Sequence, residues 1–299
     1  MQVEEMRSKI AEGQGFIAAL DQSGGSTPKA LKGYGVEEDA YRNDEEMFGL
    51  IHQMRSRIIS SPCFSGDKVI GAILFERTMD GEVEGKPTPQ ALVERGVVPF
   101  IKIDKGLEEE RDGVQLMKPM PELDALLSRA KGLGVFGTKE RSVINGANSQ
   151  GIAAIVRQQF EVARQVLGAG LVPIIEPEVN IKSSDRAESD RILRDELVRA
   201  LDELREGEEV MLKLSIPAEA GLFQPLVDHP RVLRVVALSG GFSRSEACRE
   251  LARNPGMIAS FSRALLSDLR QQMDDAEFDR SLGGAIDEIH AASTQKVPA

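Results

Sequence analysis

Metal-binding and redox side chains are scarce in this 299-residue chain, which has three histidines and two cysteines. His52 lies in a helical pattern, His229 precedes a proline and His290 lies near the C-terminus. They form no three-histidine catalytic zinc set, and no Cys/His cluster replaces it. Cys63 and Cys248 match no metal or redox spacing, so a reducing, cytoplasmic setting is expected. Residues 1–13 carry charges every few positions and lack the apolar core of a signal peptide. No apolar run approaches the ~20 residues that span a bilayer. Basic residues are outnumbered 37 to 48, for a net charge of -11. An acidic balance disfavours both nucleic acid and an anionic membrane as partners, because each recruits basic surfaces. An anionic small molecule would need a locally basic pocket.

What is present is regular alternation. Short apolar runs at 16–21, 69–75, 97–103, 135–141, 171–176, 210–214, 232–238 and 257–261 predict eight strands. Amphipathic stretches fall between them, at 43–60, 149–167, 185–206 and 243–253, and Asn43 or Asp44 is placed to cap the first. Several strands are apolar on both faces, as strands covered on both sides are. No Gly/Ser linker or composition shift divides the chain. Eight strand-helix units in this length predict an α/β fold with one TIM (β/α)8 barrel domain over 1–299. A helix over about 1–13 precedes it and helices over about 263–292 close it.

Two nucleotide motifs fail. Gly13-Gln14-Gly15 precedes a predicted strand, where no helix N-terminus cradles a pyrophosphate. Gly81 to Pro87 is one residue short of a Walker loop and has proline where a hydroxyl belongs. The glycines near Ser239 form no nucleophile elbow. Any chemistry therefore rests on lysine and carboxylates.

Those side chains recur where a barrel builds its active site, at the C-terminal ends of strands. Strand residues alternate faces with period two. Val172, Ile174 and Glu176 share a face, as do Met211 and Lys213, Lys102 and Asp104, and Val135, Gly137, Lys139 and Arg141; Asp21 closes the first strand. One such charge reaching solvent is ordinary, but five strands doing so together is not. Lys213 sits in an apolar run, where burial disfavours an ammonium and favours a nucleophilic amine. The preceding strand ends in Glu176, with Pro177 and Glu178 beyond it. An amine facing a carboxylate is equipped for imine formation with a carbonyl compound; a plain buried ion pair is the competing reading.

The loops after strands seven and eight add Ser239-Gly240-Gly241 and Ser260-Phe261-Ser262-Arg263. Glycines admit close backbone approach, and arginine binds phosphate in bidentate fashion. This is the phosphate position of the fold. The loop Gln22-Ser23-Gly24-Gly25-Ser26-Thr27 offers a second such place.

These segments, from Gly15 to about Leu269, resemble the class I fructose-bisphosphate aldolases in their shorter bacterial form. The carriers are Ala18 to Ser26, Ile101-Lys102-Ile103-Asp104-Lys105-Gly106, Pro173 to Glu178, Leu212-Lys213, and the two phosphate loops; Lys139 to Val143 is similar to a sixth segment. The resemblance implies that Lys213 forms the Schiff base and Glu176 is the principal acid/base. Asp21 matches the aspartate implicated in carbon-carbon cleavage, Lys102 and Lys139 match substrate lysines, and Glu178 matches the second carboxylate. Ser239, Gly240, Gly241, Ser260 and Arg263 would hold one phosphate. Ser23 and Ser26, with Lys102 and Arg141 nearby, would hold the other. The implied activity is glycolytic cleavage of fructose 1,6-bisphosphate, with no cofactor and no metal; another ketose bisphosphate, or a non-catalytic sugar-phosphate barrel, are the alternatives. A homo-oligomer is compatible with this reading. Two departures stand out: the only tyrosines are Tyr34 and Tyr41, so the C-terminal tyrosine of longer enzymes has no counterpart, and Ser262 replaces a glycine common in them.

Overall fold

The eight apolar runs pair side by side as parallel strands: β1 (Phe16–Leu20), β2 (Val69–Leu74), β3 (Val98–Lys102), β4 (Gly137–Ile144), β5 (Val172–Val179), β6 (Val210–Ser215), β7 (Val232–Leu238) and β8 (Ile258–Ala259). The computed structural model describes residues 1–298. The strands follow one another in chain order around a TIM-barrel fold. The edges of β1 and β8 meet where the Ala19 amide donates to the Phe261 carbonyl at 3.2 Å.

Parallel strands need a long return path, and helices provide it. The chief ones are α1 (Val3–Glu12), α2 (Ser26–Gly33), α3 (Asp44–Ser60), α4 (Thr88–Glu94), α5 (Leu123–Gly132), α6 (Ser149–Gly168), α7 (Arg186–Asp202), α8 (Arg244–Ala252), α9 (Arg263–Leu266) and α10 (Asp275–Thr294). Asn43 accepts from the Glu46 amide and Asn148 from the Gly151 amide, so each supplies one orphan donor of its helix with a partner.

Side-chain alternation sorts the core into two layers. One cluster fills the barrel, with Ile17, Ile73, Phe100, Ile174, Met211 and Val236; a larger one lies between strands and helices. Met6 and Ile10 of α1 plug the lower end, and Arg234 clamps that helix by donating to the Ile10 and Gly13 carbonyls at 2.9 and 2.7 Å. At Gly137 a Cβ would stand 2.2 Å from the Val172 carbonyl and 2.9 Å from the Phe100 ring, so only glycine lets β4 pass. The floor is therefore dry, and the charges gather above it.

Three differences from the sequence pattern have local causes. Strands β4 and β5 run on to Ile144 and Val179, because they pair along their whole length. Val135 precedes β4 and packs in the outer layer, while Phe136 enters the barrel; the period-two phase starts only at Gly137. The segment 22–27 is not all loop, since Ser26 opens α2 with Pro28 in its first turn, where a missing amide costs nothing.

Candidate active site

Thirteen of the fourteen side chains and glycines singled out in the sequence line one cavity of about 660 Å³ at the C-terminal end of the barrel. Gly241 is the exception; it lies behind Gly240, with the Arg263 guanidinium 3.8 Å from where its Cβ would be.

At the centre, two lysines and two carboxylates alternate. The Lys213 ammonium nitrogen lies 3.0 Å from Glu176 Oε1, and Lys139 lies 2.8 Å from Glu176 Oε2 and 2.7 Å from Asp21 Oδ2. All four are nearly fully buried. The register explains the meeting: Arg141 is level with Glu176, so Lys139 sits one inward step lower and its long stem rises between β1 and β5. Burial alone would raise the Asp21 carboxyl, but the ammonium groups of Lys139 and Lys213 outweigh it and hold it below the carboxylate range. Burial likewise opposes the Lys139 charge, and Asp21 with Glu176 overcomes it, so that Lys139 is raised above the usual lysine range.

The flanking charges are paired. Lys102 donates to Asp104 Oδ1 at 2.6 Å and to its carbonyl at 3.1 Å. Burial pushes the Lys102 amine down, Asp104 opposes the fall and Lys139 adds to it. Burial also works against the Arg141 guanidinium, but its ion pair with Glu178 outweighs that and raises it. Glu176 is held from behind: its amide donates to Gln159 Oε1 at 3.0 Å, and Gln159 Nε2 donates to Ser142 Oγ.

The rim is polar and hydroxyl-rich. Gly240 and Gly241 have φ of 60° and 111°, which lets the backbone after β7 fold over the cavity. The Ser260 hydroxyl is buried and has no hydrogen-bond partner within the protein. Arg263 is exposed at the mouth. In the adjoining loop after β1, Ser26 Oγ accepts from the Ser23 amide at 2.9 Å and donates to the Ser23 carbonyl at 2.8 Å, which shapes the turn into α2. Among the described residues, no group of three or more His, Cys, Asp or Glu is arranged to hold a metal ion, and no helix is long and apolar enough to cross a membrane.

Sequence reasoning missed Lys29 and Ser267, which also line the cavity, and Gln159 behind it, and it named Gln22 only as part of a loop. Gln159 had a signal: it interrupts the apolar stripe of α6 among Ile152, Ile155, Val156 and Phe160. A polar residue on a buried stripe needs a partner inside.

The model of the glycolytic class-I fructose-bisphosphate aldolase family matches residues 3–214. The fold is similar to that of a fructose-bisphosphate aldolase from Plasmodium falciparum, with a TM-score of 0.80, 21% identity, and coverage of 99% of this chain and 96% of that chain. A protein of Corynebacterium glutamicum is more distant, with a TM-score of 0.55, 15% identity, and coverage of 97% of this chain and 92% of that chain.

Proposed function

Because the chain belongs to the class-I fructose-bisphosphate aldolase family, we propose that it is a Schiff-base lyase that reversibly cleaves fructose 1,6-bisphosphate into dihydroxyacetone phosphate and glyceraldehyde 3-phosphate. The observation that carries this reading is the buried contact between Lys213 and Glu176 at 3.0 Å, above an apolar barrel floor. Lys139 competes for the role of nucleophile, but two carboxylates hold it as an ammonium, whereas Lys213 has one carboxylate partner.

In this mechanism the free Lys213 amine attacks C2 of the open-chain ketose, and the carbonyl oxygen takes a proton to give a carbinolamine. Glu176 delivers a proton to the departing hydroxyl, water leaves, and an iminium remains. A base then removes the C4 hydroxyl proton. The C3–C4 electron pair moves into the C2–C3 bond while the iminium π pair moves onto nitrogen. Glyceraldehyde 3-phosphate departs and an enamine is left. Protonation at C3 and hydrolysis of the imine release dihydroxyacetone phosphate and restore Lys213. Asp21 and Glu176 are the two bases within this cluster. The Lys139 cation between them holds the Asp21 carboxyl down and moderates the charge that moves through the imine.

Two groups of polar residues around the cavity mouth are the phosphate sites of this reading. Ser239, Gly240, Ser260 and Arg263 would take one, the unpartnered Ser260 hydroxyl among them; Ser23 and Ser26, with Lys102, would take the other. The ten charged residues that line the cavity, Lys29 included, sum to +2 in a chain of -11, so the basic groups converge locally against the overall charge. Arg141 is engaged by Glu178, so its part in holding phosphate requires sharing that carboxylate.

Borohydride reduction in the presence of substrate tests the reading. The expected result is a stable adduct on the peptide carrying Lys213 and none in a Lys213→Met variant. Turnover with no trapped adduct would overturn the Schiff-base mechanism. Steady-state comparison of fructose, tagatose and sedoheptulose bisphosphates then assigns the sugar, with fructose expected to have the highest kcat/KM.

A further inference from the structure

Arg55 is the largest side chain in the protein that is wholly buried. It lies on the core face of α3, among Met47, Ile51, Met54 and Ile58, where the helical spacing calls for an apolar residue. Its three hydrogen bonds all go to uncharged acceptors. Nη1 donates to Thr78 Oγ1 at 2.7 Å, and Nη2 donates to the Gln22 carbonyl at 2.5 Å and to Gln22 Oε1 at 3.2 Å. A guanidinium in such a place is costly to desolvate, and an apolar residue of similar size would serve stability better. Burial pushes Arg55 down to about 10, with only the charge of Asp21 opposing.

The contact with Gln22 has a directional consequence. A guanidinium is donor only, so it fixes the carboxamide with its oxygen toward Arg55. The Gln22 amide nitrogen must then point the other way, where it donates to Ser262 Oγ at 2.5 Å and to the Ala19 carbonyl at 3.2 Å. A serine hydroxyl that accepts from Gln22 keeps its own proton for another acceptor. Gln22 and Ser262 both line the cavity, at the ends of β1 and β8 where the barrel closes. Ser262 lies between Ser260 and Arg263, two of the residues assigned above to a phosphate.

We propose that Arg55 is a positioning residue which, through Gln22, orients the Ser262 hydroxyl as a donor to a phosphoryl oxygen and ties the loops after β1 and β8 together. The relay rests on the sugar-bisphosphate reading. It gives the serine at 262 a task and accounts for an arginine on an apolar helix face.

The test uses hexitol 1,6-bisphosphate, which carries both phosphates but no carbonyl, so its binding needs no imine. Calorimetric affinity and steady-state kcat and KM are measured for Arg55→Met, Arg55→Lys, Ser262→Ala and each Arg55 variant combined with Ser262→Ala. Loss of one charge-assisted contact is worth about tenfold in affinity. Arg55→Met and Ser262→Ala are each expected to weaken binding by roughly that factor, with kcat within about threefold. The pair is expected to weaken binding no further than either alone, because both cut one relay. Arg55→Lys, which keeps the charge without the planar fork, should behave like Arg55→Met. Effects that multiply in the double variants, unchanged affinity, or kcat lost at unchanged affinity would each overturn the proposal. If neither Arg55 variant folds, the guanidinium serves folding alone and the proposal falls. Wild-type protein that neither binds the hexitol bisphosphate nor turns over would instead refute the aldolase reading.

Discussion

Lys139 is the most informative side chain to remove, because it bridges the two carboxylates nearest Lys213. In Lys139→Met the unbranched stem is retained and the charge is lost. The ammonium contacts Asp21 at 2.7 Å and Glu176 at 2.8 Å, and all three side chains are buried. Deleting one partner of such a buried pair costs about 3–5 kcal/mol. At about 1.4 kcal/mol per decade, that is roughly a hundred- to several-thousand-fold if expressed in kcat/KM. The alternative outlet is proton uptake, which has a definite sign. Asp21 is held below its ordinary 3.8 by Lys139, Lys213 and Lys102 acting against burial. In the native protein its contribution to stability is therefore present above that ordinary value and is lost as pH falls through the lower folded value. Without Lys139, burial is less opposed and the Asp21 carboxyl moves up. The acid limb of kcat/KM should then shift to higher pH, with the greatest loss of activity near the acid end. A pH–rate profile from about pH 5 to 9 reads the shift, and borohydride trapping at each pH reports whether the imine still forms. Activity within about threefold of the native value, or an unmoved acid limb, would refute the role given to this cation.

Other consequences follow from groups away from the chemistry. Asp190 of α7 accepts from the Ala218 amide at 2.8 Å and is pushed up to about 6 by burial, which that amide and Arg186 only partly oppose. The folded state then binds more protons than the unfolded chain between 3.8 and about 6, so stability falls as pH rises through that window. Asp190→Asn should remove that slope in denaturant titrations and leave the protein more stable at neutral pH, by at most roughly 3 kcal/mol; a slope that persists would contradict this. Asn148→Ala removes the cap of α6, and a loss of about 1 kcal/mol, or about 2 °C in Tm, is expected at unaltered kcat/KM. An unchanged Tm in calorimetry would count against the cap.

The sequence by itself determined what depends on neighbours a few residues apart. Eight apolar runs announced eight strands, and the two-residue period placed Lys102, Lys139, Glu176 and Lys213 on inner faces. Asn43 carried the N-cap signal of α3. Local periodicity is legible because one strand or helix dictates its own facing side. The same rule failed at Val135, where the chain had not yet entered the sheet. Other relations were decided only by the closed barrel. Lys139 lies between Asp21 and Glu176 because shear between strands carries its stem up to carboxylates from β1 and β5. Gln159 supports the Glu176 amide from a helix in the outer layer. Arg55 reaches Gln22, and through it Ser262, only because β8 returns beside β1. Each of these joins groups distant in the chain, and their distances depend on register and closure. The pattern along the sequence named the charges; the fold paired them.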